Sequence, residues 1–164
     1  MKTFGIVGWS GSGKTTLIEK LIPRFATGGM RVSVLKHAHH GFDVDRPGKD
    51  SYRHREAGAT EVLIASAQRW VLMHELRETP EPSFEEHLKH FSPCDLLLVE
   101  GWKHTPVSKI EVWRAGTGAH PLHVQDPHIV AVASDVAVET PLPLLDLNDD
   151  RDIAAFILRH LGLT

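Results

Sequence analysis

The segment Gly8-Trp9-Ser10-Gly11-Ser12-Gly13-Lys14-Thr15 spells G-x-x-x-x-G-K-[ST], follows the apolar run 4–7 and opens a helical stretch from Thr15 to Phe25. Strand, glycine-rich turn and helix in that order restrict the chain to folds in which a buried strand ends on a phosphate cradle. Backbone N–H groups can wrap an anion only where no Cβ intervenes, which accounts for Gly8, Gly11 and Gly13, with Ser10 and Ser12 completing the loop. The helix that follows points its positive end at the same anion. Lys14 is placed to reach the β- and γ-phosphates, Thr15 to ligate Mg²⁺ through its hydroxyl, and Thr16 to touch a phosphate oxygen. A nucleoside triphosphate is the expected ligand.

The rest of the pattern fits a single domain over residues 1–164, long enough to bury roughly two-thirds of its unfolded surface. Strands are predicted at 3–8 and 31–36 around a helix at 14–26, which Gly28-Gly29 stops. A polar loop over 37–49 leads to a short helix, capped by Asp50 or Ser51 and ending near Gly58. The β-rich runs 61–66 and 69–74 are separated by little more than Ala67-Gln68 and read as an antiparallel extension of the sheet. A helix at 84–91, a central strand at 96–100 and further strands at 110–113, 129–134 and 144–147 follow; the last helix, 150–161, stops at Gly162. This alternation predicts an α/β chain with a three-layer P-loop NTPase fold, its sheet mostly parallel with an antiparallel β extension.

Composition removes several alternatives. A net charge of −3 argues against a general nucleic-acid binder, because backbone affinity depends on clustered Lys and Arg. No apolar run approaches the roughly 20 residues needed to cross a bilayer, and the start runs directly into a strand without the pattern of a secretory signal. A cytoplasmic protein is expected. Cys94 is the single cysteine, so an internal disulfide is excluded. Twelve histidines are the anomaly, with clusters at His37, His39 and His40 and at His120, His123 and His128. They lack cysteine partners and an H-E-x-x-H frame, the spacings by which zinc sites are recognised.

The second half of a nucleotide site is written in Leu96-Leu97-Leu98-Val99-Glu100-Gly101, an apolar strand that delivers a carboxylate to the carboxyl edge of the sheet. Glu100 is expected to hold Mg²⁺ directly or through water, and the Gly101 N–H to approach the γ-phosphate. Asp43 and Asp45 lie in the loop after the second strand, where a carboxylate can ligate Mg²⁺ or orient an attacking water; Asp45 is the candidate catalytic residue alongside Lys14 and Glu100. Lys36, Arg46, Lys49, Arg53, Arg55 and Lys103 add positive charge suited to an anionic second ligand. Base identity has two candidate readers: Ser134-Asp135, since an Asp carboxylate can accept from guanine N1 and N2 hydrogens, and Asn148-Asp149, which can equally cap the last helix.

Together, Gly8 to Thr16, Leu35-Lys36-His37-Ala38-His39-His40, the D-x-D-x-P-G-K-D-S segment from Asp43 to Ser51, Ala65-Ser66-Ala67-Gln68-Arg69-Trp70, Val99-Glu100-Gly101-Trp102-Lys103-His104 and Val132-Ala133-Ser134-Asp135 resemble the molybdopterin-guanine dinucleotide biosynthesis protein B family. The resemblance spans nearly the whole chain, with Trp102 as the aromatic after Val99-Glu100-Gly101. It implies a homodimeric protein that binds GTP with Mg²⁺, hydrolyses it weakly and assists the guanylyltransferase that joins GMP to molybdopterin. On the same resemblance the loop carrying His37, His39, His40, Lys49 and Asp50 is expected to meet the phosphate of molybdopterin, the partner enzyme or both. Two rival functions share the phosphate loop. A small-molecule kinase would use Asp45 as base but should carry a compact Arg-rich lid; a GTPase metallochaperone would explain the histidines, of which His37-x-His39-His40 supplies only part of a metal site.

Overall fold

The computed structural model describes residues 1–38, 41–117 and 120–163. The chain forms two compact units, Met1–His37 with Lys89–Thr164, and Ala38–Leu88. The first unit holds β1 (Lys2–Val7), α1 (Lys14–Thr27), β2 (Val32–Lys36), β5 (Leu96–Glu100), β6 (Lys109–Trp113), β7 (Ile129–Ser134), β8 (Leu144–Asp146) and α4 (Asp150–Leu161). The second holds α2 (Asp50–Glu56), β3 (Glu61–Ala65), β4 (Trp70–His74) and α3 (Phe84–Leu88).

Six strands of the first unit form one sheet in the order β2-β5-β1-β6-β7-β8, and every pairing in it is parallel. The apolar run at 96–99 is fully buried, as its composition predicts, with β5 between β2 and β1. Side chains alternate along each strand, so Phe4 and Ile6, Leu96 and Leu98, Ile110 and Val112, and Ala131 and Ala133 share a face. That face packs against Leu17, Leu21 and Phe25 of α1 and Ile153 and Ile157 of α4 in one core. Each such large side chain contributes about 1.5–3 kcal/mol on burial, which makes this face the main source of stability. Gly29, at φ 83, turns the chain out of α1. Asp149 caps α4 by accepting from the N–H groups of Arg151 and Asp152, and Gly162 closes it in the left-handed conformation.

The opposite face of β6 carries charge. Lys109 and Glu111 are both fully buried. Lys109 Nζ donates to the carbonyls of Lys103 and Thr105 at 2.7 Å and to Asp126 Oδ2 at 2.9 Å, which uses all three ammonium hydrogens. Glu111 accepts from the N–H of Leu122 at 2.7 Å, the N–H of His123 at 2.9 Å and the His123 ring at 2.7 Å. Over β6, therefore, segments 103–105 and 122–126 form the covering layer. Burial alone would raise the Asp126 carboxyl, but the bonds from Lys109 and the His128 N–H outweigh it and hold it below the usual carboxylate range. Gly5 makes room for this arrangement, since a Cβ there would lie 2.7 Å from Lys109 Cβ.

In the second unit β3 and β4 are antiparallel, as expected, but form a two-stranded sheet of their own, with Leu63 opposite Leu72 and Ala65 opposite Trp70. Ser66 and Arg69 close the hairpin, Ser66 Oγ accepting from the N–H groups of Gln68 and Arg69 at 3.2 Å. Lys49, without a side-chain bond, occupies the cap position of α2; Asp50, expected there, lies in the first turn, where its charge complements the helix dipole. Among the described residues no helix is long and apolar enough to cross a membrane.

Replacing Glu111 by Ala strands the His123 ring and two N–H groups in the interior. A loss of about 3 kcal/mol is expected from urea unfolding, within the range for breaking one side of a buried charged pair.

Candidate nucleotide site

The loop between β1 and α1 is shaped by three glycines, Gly8 through lack of space for a Cβ and Gly11 and Gly13 through backbone conformation. Gly8 has φ 150, and a Cβ on it would meet Val112 O at 2.4 Å and Ser12 Oγ at 2.7 Å. Gly11 and Gly13 have φ 78 and φ 99. Ser12 is buried, and its Oγ has no hydrogen-bond partner among the described residues. Ser10 and Gly11 are exposed at the rim, and Thr15 and Thr16 are exposed in the first turn of α1. Lys14 Nζ donates to the carbonyls of Gly8 at 3.0 Å and Trp9 at 2.8 Å, folding over the loop. Burial lowers the pKa of Lys14, Lys103 and Lys36 lower it further, and Glu100 opposes them.

Register explains how Glu100 reaches this loop. Leu96 and Leu98 face α1, so Glu100, two residues on, emerges on the same face at the carboxyl edge. There its Oε1 accepts from Thr15 Oγ1 at 2.7 Å and lies 3.2 Å from Lys36 Nζ, since Lys36 pairs with Glu100 across β2 and β5. A hydroxyl and a carboxylate converging at a helix N-terminus are hard oxygen donors of the kind Mg²⁺ prefers. Gly101 is buried with φ 82, but its N–H donates to Ile6 O at 3.1 Å. This N–H, expected to approach a phosphate, here continues the parallel ladder between β5 and β1.

Trp9 is fixed on both sides. Its indole N–H donates to His120 O at 2.8 Å, and Lys103 Nζ stands 4.0 Å from the ring centroid. Trp102 takes a left-handed φ of 50, stacks at 4.8 Å on His37, and its carbonyl accepts from the Thr105 hydroxyl at 2.5 Å. His39 and His40 lie outside the described residues.

Asp135 is exposed just past β7, where its carboxylate pairs with Arg114. Ser134 is buried, and its hydroxyl accepts from the Val136 N–H at 3.2 Å. Asp149, the other candidate reader of the base, caps α4, and Asn148 Nδ2 bonds Asp146 at 3.1 Å. Asp45 belongs to the second unit, where Arg55 binds it at 2.5 Å together with Asp43 at 3.0 Å and Glu75 at 2.8 Å. The Arg55 hydrogen bond holds the Asp45 carboxyl below its usual range. Its chemistry in the structure is that of an ion-pair acceptor.

Sequence reasoning passes over Arg114, although its signal is present: Ile110 and Val112 face α1, so the next residue in step is Arg114. Its Nε donates to Ser12 O at 3.0 Å. With Ser10, Gly11, Thr117, Asp135 and Val136 it lines a cleft of about 430 Å³ beside the glycine loop.

A parallel sheet with this glycine loop at its carboxyl edge, and a carboxylate from the adjacent strand meeting the first turn of the helix, defines a fold of the P-loop NTPase type. Residues 3–135 match the family described as Molybdopterin guanine dinucleotide synthesis protein B, and the chain belongs to that family. It is 46% identical over 156 residues to the "Molybdopterin-guanine dinucleotide biosynthesis adapter protein" of Escherichia coli (strain K12), covering 93% of this chain and 89% of that one. A protein of the same description from Haemophilus influenzae (strain ATCC 51907 / DSM 11121 / KW20 / Rd) is also 46% identical, over 93% of this chain and 85% of its own length. A crystal structure of molybdopterin-guanine biosynthesis protein B superposes with a TM-score of 0.75 at 27% identity, covering 97% of this chain and 99% of the other.

Gly8→Ala brings a methyl group against Val112 O. It is expected to cost about 2 kcal/mol of stability, read by thermal unfolding.

Proposed function

We propose that the chain is a GTP-binding adaptor, acting in the cytoplasm, for the step that converts molybdopterin cofactor to its guanine dinucleotide form. In this reading it binds GTP with Mg²⁺ at the loop from Gly8 to Thr16, hydrolyses it weakly and assists the guanylyltransferase. The observation that carries it is the bond from Thr15 Oγ1 to Glu100 Oε1 at the foot of a loop whose Gly8 leaves no space for a Cβ. Two relatives described as biosynthesis adapter proteins match this chain over most of their own lengths. Thr15 and Glu100 are the oxygen donors for Mg²⁺, which when bound neutralises developing phosphate charge. Lys14 leaves its loop carbonyls for the phosphates, and its lowered proton affinity is offset there by the anion. Asp45, the base a kinase would require, is bound by Arg55.

Calorimetric titration with GTP and ATP in the presence of Mg²⁺ tests this. GTP is expected to bind more tightly, and Lys14→Ala to lose the binding heat; an ATP preference would turn the assignment toward a kinase.

We assign the homodimer to the β3–β4 hairpin. Leu63, Leu72 and Trp70 lie on one of its faces, exposed by 59%, 42% and 66%. A two-stranded sheet is marginal alone, and an isologous contact lets the same patch cover itself in a second copy. Sedimentation should show a dimer for the native chain and a monomer for Leu63→Glu with unchanged GTP affinity.

A further inference from the structure

The row of side chains that leaves the sheet on the α1 face continues past Glu100. On β6 and β7 the residues in step with Ile110 and Val112 and with Ala131 and Ala133 are Arg114 and Asp135. Arg114 makes two bonds in different directions. Its Nε donates to the Ser12 carbonyl of the glycine loop at 3.0 Å, and its Nη1 donates to Asp135 Oδ2. Arg114 lies directly against the loop, since a Cβ on Gly13 would be in van der Waals contact with its Nε at 3.6 Å. A planar guanidinium held at two points has a fixed orientation, which a lysine ammonium cannot reproduce. Arg114 and Asp135 thus form one wall of the 430 Å³ cleft whose floor begins at Ser10 and Gly11 of the loop.

We propose that this cleft receives the purine base, and that Arg114 is the specificity-determining positioning residue that locks Asp135, as reader of guanine, to the phosphate loop. The inference rests on the GTP reading above and adds how the base is chosen. An Asp carboxylate has about four acceptor positions, so one bond from Arg114 leaves room for two more. Guanine offers N–H donors at N1 and N2 on the edge that meets such a reader. Adenine offers an unprotonated N1, whose lone pair opposes the carboxylate. A site built to accept two hydrogen bonds rejects the base that cannot supply them. Because the same guanidinium bonds Ser12 O, one side chain links the base reader to the glycine loop.

The test is calorimetric titration of the native chain, Arg114→Ala, Arg114→Lys and Asp135→Asn with Mg²⁺ and GTP, ATP or XTP. The native chain should prefer GTP. Arg114→Ala should lose about tenfold or more of the GTP over ATP preference, the scale of a charge-assisted hydrogen bond. Arg114→Lys should fail to restore it, because charge without the fork does not orient Asp135. Asp135→Asn, an exposed substitution that leaves the core intact, should lose GTP and gain XTP, whose O2 can accept from the carboxamide. Retention of the native GTP over ATP ratio in both Arg114→Ala and Asp135→Asn would overturn the base assignment while leaving GTP binding standing. A native chain without GTP preference would overturn both.

Discussion

Side-chain alternation in a parallel sheet is the constraint on which the site depends. Once Phe4, Ile6, Leu96, Leu98, Ile110, Val112, Ala131 and Ala133 are committed to the core beneath α1 and α4, the next residue in step on each strand has no choice of face. On β5, β6 and β7 those residues are Glu100, Arg114 and Asp135, and on β2 the same count from Val32 and Val34 reaches Lys36. Hydrophobic burial, a non-directional force, thereby aligns four charged groups along one edge, on both sides of the glycine loop. A slip of one residue in any strand would exchange a core side chain for a charge, so the same free energy that holds the sheet holds the register of the site.

Segments near the site are bonded from the opposite face of the sheet. Lys109 and Glu111 bind the backbone of segments 103–105 and 122–126 from beneath, with every hydrogen of the ammonium used. Isolated charges would be intolerable in such surroundings, but here they satisfy loop carbonyls and N–H groups that would otherwise face the interior unpaired. Lys103, which stands over Trp9, lies in one of these bound segments, and His120, which fixes the indole N–H, lies just ahead of the other.

The glycine loop, the buried strand at 96–100 and the terminal helix were legible because each has a local physical signature: φ values only glycine adopts freely, an unbroken apolar run, and a cap at each end. Glu100 was legible for the same reason, standing at the end of that run. Lys109 and Glu111 were not, because a charge within a strand ordinarily marks a solvated face, and only the distant segments 103–105 and 122–126 reveal what buries it. Arg114 could have been found by counting in twos from Ile110. The bond from the Gly101 N–H to Ile6 was not legible, because nothing in the sequence says which of two neighbouring strands continues the ladder. The antiparallel pair at 61–74 was recognised from its β-rich runs, whereas its separation into its own sheet depends on partners that local pattern cannot specify.

The strand order has a consequence for how the chain reaches this structure. β1 and β2 are joined by α1 yet do not touch in the sheet, because β5 lies between them. The first 37 residues leave a slot one strand wide, and the strand that fills it begins at Leu96. No pair of sheet neighbours among β1, β2 and β5 is local in sequence, so loop-closure entropy must be overcome before either of their ladders forms. The contact between Thr15 and Glu100 forms only when β5 enters: a chain emerging from the ribosome lacks it until Glu100 has been made.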